Sequence, residues 1–341
     1  MGVKDKIKSL IEEKKIITAI QLARFLGVTR QYASRLLKIL VNSDELIKSG
    51  STRSSRYTLP KYFDELGTVK IARRIINKEV KEHEVMEQMF SGFPAIMMAP
   101  EHIQGILRYA FSEMLNNAVE HSRSDIIEIE MIQEGKILRF AINDFGIGVF
   151  KNVMKQRHLA NELEAMQDLL KGKTTTAPKA HSGEGIFFTS KVADRFVLES
   201  FGHRLLIDNT IPDVFFQEQK PSKNGTRVIF SITSNSRRHI SDVFNKFQAE
   251  PGSFAFDKTE IRVRLFTMGT IHISRSQARR ILTGLNKFKL IILDFKDVPN
   301  IGQAFADEVF RVFKNKHPDI KIETINANES VRFMIERVAL S

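Results

Sequence analysis

Residues 111–149 constrain this chain more than any other stretch. Phe111 to His121 reads Phe-Ser-Glu-Met-Leu-Asn-Asn-Ala-Val-Glu-His. The spacing predicts a helix with Glu113 and Asn117 one turn apart on one face. Phe111, Met114, Leu115, Ala118 and Val119 cover the opposite side, as a helix packed on a sheet requires. Asp125–Gln133 and Lys136–Asn143 then read as a hairpin around Glu134-Gly135. Its second strand runs into Asp144-Phe-Gly146-Ile-Gly148, an acidic residue at a strand end followed by paired glycines. Alone, Glu113 and Asn117 make an ordinary polar helix face, and Asp-x-Gly-x-Gly is a common turn.

The order of further motifs adds weight. Gly183-Glu-Gly185 opens a second apolar helix, Ile186–Ala193, and Gly225-Thr226 begins another strand. Four motifs in this order resemble the ATP-binding domain shared by DNA gyrase, histidine kinases, heat-shock chaperone ATPases and anti-sigma-factor kinases, the GHKL family. The resemblance implies ATP and Mg²⁺ as cofactors. It implies that Asn117 ligates Mg²⁺ and that Glu113 orients or deprotonates an attacking water or hydroxyl. Asp144 would accept from the adenine amino group, with Thr226 joining that network through water. A carboxylate only accepts hydrogen bonds, which favours adenine over guanine. Gly146 and Gly148 would let the backbone pass beside the base. His121 matches a basic or aromatic family position near phosphate, although its place at the helix end is also explained by the helix dipole.

Residues 150–182 read as a helix, Val153–Leu170, and then a basic, small-residue run from Lys171 to Ser182. Such a run suits a lid over phosphates, with Lys173 and its threonines as candidate contacts; a solvated loop fits equally. Gly183 and Gly185 would present backbone N–H groups to phosphate oxygens. Kinases of the family continue Gly-x-Gly-Leu-Gly, whereas this chain has Phe187 in place of the third glycine.

The first 60 residues carry 12 Lys/Arg against 5 Asp/Glu, a net +7 of the chain's +12. Two helices around Gly27-Val-Thr29, followed by a hairpin around residues 50–55, resemble a winged-helix domain. Its second helix would expose Arg30, Gln31, Ser34, Arg35 and Lys38, and the wing Arg53 and Arg56, to phosphates and base edges. A winged helix used for protein contacts alone is the other reading. Residues 63–89 are expected to form a long helical connector.

After residue 252, strands and helices alternate: strand 260–267, helix 274–286, strand 289–294, helix 302–316, strand 320–325 and helix 328–339. Leu293-Asp-Phe-Lys-Asp-Val-Pro-Asn-Ile301 resembles a STAS domain, the fold of anti-anti-sigma factors. Where such domains carry a phosphoacceptor serine, this chain has Gln303, which accepts no phosphoryl group.

The expected fold class is thus multidomain α+β. A winged helix (1–60) and helical linker (61–95) precede an α/β sandwich of a mixed sheet with helices on one face (96–235). A small STAS-like α/β domain (252–341) follows. No apolar run is long enough to span a bilayer, no apolar signal core opens the chain, and there are no cysteines. The expectation is a cytoplasmic regulator binding Mg·ATP, with slow hydrolysis coupled to binding DNA through residues 1–60 or a protein through the STAS-like domain. The winged helix also admits a homodimer. The alternative is a protein kinase of the anti-sigma-factor or histidine-kinase type acting on a separate chain.

Overall fold

A computed structural model describes residues 2–43, 45–49, 55–173, 183–253, 255–267 and 274–339. The chain divides into two compact units: residues 1–146 with 227–237, and residues 147–226 with 238–341.

The first unit opens with α1 (Val3–Lys14), β1 (Ile16–Ile17), α2 (Ala19–Leu26), α3 (Arg30–Asn42), β2 (Ile47–Ser49) and β3 (Arg56–Thr58). Thr18 caps α2, its Oγ1 accepting from the Gln21 N–H while the Gln21 side chain accepts from the Thr18 N–H at 2.7 Å. Gly27 ends that helix in the left-handed conformation, φ 68°. Thr29 caps α3 by accepting from Tyr32 N–H. The three strands pair antiparallel in the order β1-β3-β2. Ile7, Leu10, Ile11, Ile17, Leu22, Leu37 and Tyr57 are buried together between helices and sheet. Arg53 lies outside the described residues.

A short 3₁₀ turn, Pro60–Leu66, leads to β4 (Val69–Ile76) and then to α4 (Glu82–Ser91). The expected helix over 63–89 is therefore corrected, and with it the linker 61–95. Four of the eight residues of β4 are Val or Ile, which pack better on a pleated surface than in a helix. Pairing with β5 (Ile126–Glu134) from Val69↔Gln133 to Ile76↔Ile126 makes the segment part of the sheet.

After α5 (Pro94–Met97) comes α6 (Glu101–His121), followed by β5 and β6 (Ile137–Asp144). Strand β10 (Thr226–Thr233) pairs with β6, giving an antiparallel order β4-β5-β6-β10 in this unit. One face of α6 is apolar throughout and buried, from Ile103 to Ala118. Phe111 packs edge-on against Phe90 and Phe140, each at 5.4 Å, and Phe140 stacks on Phe230 at 5.1 Å. These rings join α4, α6 and two strands into one core.

The second unit begins with α7 (Val149–Arg157) and α8 (Glu162–Lys171). These two helices replace the single expected helix 153–170. His158, at φ 54°, closes α7, and Asn161 caps α8 by accepting from Glu164 N–H at 3.0 Å. Helix α9 (Gly185–Val192) precedes a meander of β7 (Arg195–Ser200), β8 (His203–Asp208) and β9 (Asp213–Glu218), all antiparallel. Neither β9 nor α10 (Ile240–Lys246) was expected.

The C-terminal layer has β11 (Lys258–Arg262), α11 (Arg264–Thr267), α12 (Arg275–Leu282), β12 (Leu290–Asp294), α13 (Gln303–Ala306), α14 (Lys314–Lys316), β13 (Lys321–Ile325) and α15 (Glu329–Ala339). A π-helical stretch, Asp307–Phe313, joins α13 to α14. Its strands are all parallel in the order β11-β12-β13, as alternating helices and strands demand. The expected strand 260–267 ends at Arg262 and turns into α11. Ser274 and Gln277 form a capping box on α12, and Asn328 accepts from Val331 N–H at 2.9 Å. Among the described residues, no helix is long and apolar enough to cross a membrane.

Candidate functional site

Helix α6 ends where its apolar stripe ends. Glu113, Asn117 and His121 lie half-buried along one flank at successive turns. Past His121, the Ser122 hydroxyl donates back to the Ala118 carbonyl at 2.5 Å and accepts from Ser124 N–H at 3.0 Å. The Asn77 side-chain amide donates to the carbonyls of Val119 and Ser124, fastening the end of β4 to the same place.

Asp144 closes β6 with only 4% of its surface exposed. Its Oδ1 accepts from Gly146 N–H at 2.9 Å, an Asx turn that folds the chain sharply at the strand end. Phe145 N–H donates to the Ser124 hydroxyl at 3.0 Å. A Cβ built on Gly146 would lie 1.8 Å from the Ser122 carbonyl oxygen, a distance that no side chain tolerates. The glycine is thus required for the loop after β6 to press against the end of α6. This approach brings the buried Asp144 to the end of the helix that carries Glu113 and Asn117.

In the second unit, Gly148 adopts φ 79° at the start of α7. A Cβ there would meet both the Phe201 ring and Ser200 Oγ at 2.5 Å. The Ser200 hydroxyl donates to the Gly225 carbonyl at 2.8 Å, and Thr226 Oγ1 accepts from Val149 N–H at 3.0 Å. Thr226 therefore caps α7 directly. Gly183, at φ 73°, and Glu184 lead into Gly185, the first residue of α9. Its opening N–H groups have no acceptor within the helix, as at any helix start. The threonines after Lys173 lie outside the described residues.

Residues 76–207 match the family model of the histidine kinase-like ATPase domain, and residues 277–332 match that of a STAS-like domain of unknown function. The chain carries a histidine kinase-like ATPase domain. No curated protein matches it. The matched ATPase stretch contains every expected nucleotide-site residue except Thr226, and it begins at the end of β4, within the span first assigned to a linker. The STAS-like match contains Gln303, the first residue of α13.

Within the ATPase domain, two expected residues have defined packing partners. Lys173 and Lys287 exchange contacts, each ammonium donating to the other's carbonyl at 3.3 and 3.0 Å. Burial pushes the Lys173 ammonium below its usual range, and the Phe256 and Phe288 rings lie 5.5 and 5.1 Å from it. Phe187, where the kinases have glycine, is 2% exposed and packs on Phe247 and Phe256 at 4.8 Å each. The same cluster holds Phe188 stacked on Phe244 at 4.0 Å. Gly172 is tied to it as well, since a Cβ there would lie 2.4 Å from the Phe256 ring.

The donor chemistry suits Mg·ATP. Among the described residues, no three His, Cys, Asp or Glu side chains converge as a metal site. A cation held by the amide of Asn117 together with phosphate oxygens and waters needs none.

The basic candidates of the first 60 residues also have clear places. Arg30, Gln31, Arg35 and Lys38 are exposed on α3, Ser34 is half-buried there, and Arg56 is exposed on β3. Sequence reasoning missed Ser122, Ser124 and Asn77, which fix the geometry of the site. Ser-x-Ser directly after a helix was the available signal, since serine competes for backbone partners at helix ends.

Proposed function

We propose that the chain is an ATP-binding regulator in which Mg·ATP binding, with slow hydrolysis, controls the binding of DNA or of a protein partner. The observation that carries this reading is the contact of Gly146 with Ser122, which sets a buried acceptor carboxylate beside the helix bearing Glu113 and Asn117. Asp144 would accept from the adenine amino group and reject guanine, which presents a carbonyl there. Asn117 would hold the cation, which when bound neutralises phosphate charge and bridges phosphate oxygens. Glu113, one turn earlier, would orient the attacking water and take its proton. The N–H groups opening α9 at Gly183–Gly185 would receive phosphate oxygens.

Residues 1–60 supply the output surface in this reading. Their order of helix, strand, two helices and hairpin supports the winged-helix reading, and their exposed basic side chains suit phosphates. DNA binding measured with and without Mg·ATP, at two salt concentrations, tests the coupling. Loss of phosphate release in Glu113→Ala tests hydrolysis separately.

The second reading, a kinase acting on a separate chain, draws on the STAS-like match, since the STAS domains of anti-anti-sigma factors are substrates of anti-sigma-factor kinases. Gln303 at the start of α13 rules out a serine acceptor at that position of this chain. Transfer of γ-phosphate label to a partner would favour the kinase.

A further inference from the structure

A cleft of about 420 Å³ opens in the second unit where α9, the β8–β9 meander, α10 and the start of the C-terminal layer meet. Its size falls within the usual range for small-molecule sites, about 300–1,000 Å³, which favour such junctions. One side of it is apolar, formed by Leu170, Ile207, Val214, Val243, Phe247 and Phe266. Phe247 and Phe266 are nearly fully buried.

The polar side carries charge, most of it already matched. Lys246 pairs with Glu260 at 3.2 Å, and Arg262 with Asp213 at 3.3 Å. Arg238 is held by Asp194 at 3.2 Å and by the Asn209 carbonyl at 2.9 Å. Asp242 is exposed at the rim.

Lys191 differs from these. Its ammonium lines the cleft, yet no acceptor among the described residues lies within hydrogen-bonding or ion-pair reach. Its near neighbours are the faces of Phe187 and Phe247, at 5.2 and 5.9 Å. Burial holds it down to about 8, with the charge of Glu260 only partly offsetting that effect. Lys191 is half-buried, and a cation so placed with no acceptor among the described residues is a costly arrangement unless something anionic completes it.

We propose that this cleft binds a small amphiphilic organic acid, its carboxylate on Lys191 and its apolar body against Phe247, Phe266 and Val243. The site is separate from the candidate nucleotide residues but shares helix α9 with Gly185. Six residues along a helix correspond to roughly 9 Å, so an occupant at Lys191 would touch the helix whose start faces the phosphates in the proposed function. Binding of the acid itself does not rest on that reading.

Titration calorimetry on the full chain, with 2-naphthoate as probe and uncharged 2-naphthamide as its neutral counterpart, tests the proposal. The expected result is one naphthoate site per chain, at least tenfold tighter than naphthamide. Inorganic phosphate, which lacks the apolar body, should bind more weakly than naphthoate. Lys191→Met should erase the preference for the acid, whereas Lys191→Arg should keep most of it. The methionine variant removes an unmatched charge, so its melting temperature should not fall. Equal binding of acid and amide, binding of neither, or tight naphthoate binding by Lys191→Met would each overturn the proposal.

Discussion

Gly146 lies against the carbonyl of Ser122 so closely that even a methyl group at position 146 would stand 1.8 Å from that oxygen. The contact fixes the end of β6 on the end of α6, and the Asp144–Gly146 hydrogen bond completes the turn. Both partners must give way if a side chain is added.

Gly146→Ala is therefore expected to destabilise the first unit by about 1–3 kcal/mol, the usual cost of overpacking. It should also weaken ATP binding by more than the stability loss explains, because Asp144 moves with the turn. Denaturant unfolding combined with nucleotide titration separates the two effects. Unchanged stability and affinity would show that the close approach is dispensable.

Phe187 stands where related kinases have glycine, and its ring belongs to a cluster with Phe247 and Phe256. Phe187→Gly is expected to cost at least about 3–5 kcal/mol, the range for truncating a buried phenylalanine to alanine. Restoring the family glycine should not tighten ATP binding in this chain, because the loss of packing also loosens α9. Urea unfolding and calorimetry measure the two outcomes.

Much of this architecture was legible in the chain. The hairpin at Gly135 and the alternation after residue 252 follow local rules that tertiary contacts reinforce. Strand β4 was hidden because Ile71, Ala72, Ile75 and Ile76 also fit a helical stripe, and only pairing with β5 decides the matter. The break between α7 and α8 rests on a left-handed His158, a conformation that few sequences announce. Glu113, Asn117 and Asp144 stand out as candidates by type and spacing. The serines that fix the end of α6 and the turn after Asp144 do not, since a serine near a helix end has many uses. From its loop alone Lys173 fitted a phosphate contact and a solvated loop equally, and the structure seats it on Lys287 through contacts over a hundred residues apart.

Lys171 predicts how stability changes with alkaline pH. Its ammonium is buried, donates to the carbonyls of Arg280 and Thr283, and is held down to about 8 mainly by desolvation, against an ordinary value of 10.5. Between about pH 8 and 10.5 the unfolded chain thus binds the proton more readily than the folded one. The burial penalty is fully present below pH 8 and is relieved as pH rises through that window, so this group's contribution makes stability increase. The neutral amine keeps N–H donors for both carbonyls. Lys171→Met should flatten that part of the pH–stability curve, measured by chemical denaturation, while lowering stability at pH 7 through two unpaired carbonyls and a weakened Asp168 partnership.

Arg35 is exposed on α3 and tests the DNA reading. If it contacts a phosphate, Arg35→Ala should weaken binding about uniformly across sequences and reduce the salt slope by about one. Fluorescence anisotropy on two unrelated duplexes at several salt concentrations measures both. An unchanged slope would move the contact away from α3.

The most direct test of the central claim is ATP binding to the full chain by calorimetry with and without Mg²⁺, in the natural sequence and in Asn117→Ala. Mg²⁺-dependent binding is expected in the natural sequence, and Asn117→Ala should remove it while the melting temperature stays unchanged. Absence of Mg²⁺-dependent ATP binding in the natural sequence, or the same affinity after Asn117→Ala, would contradict it.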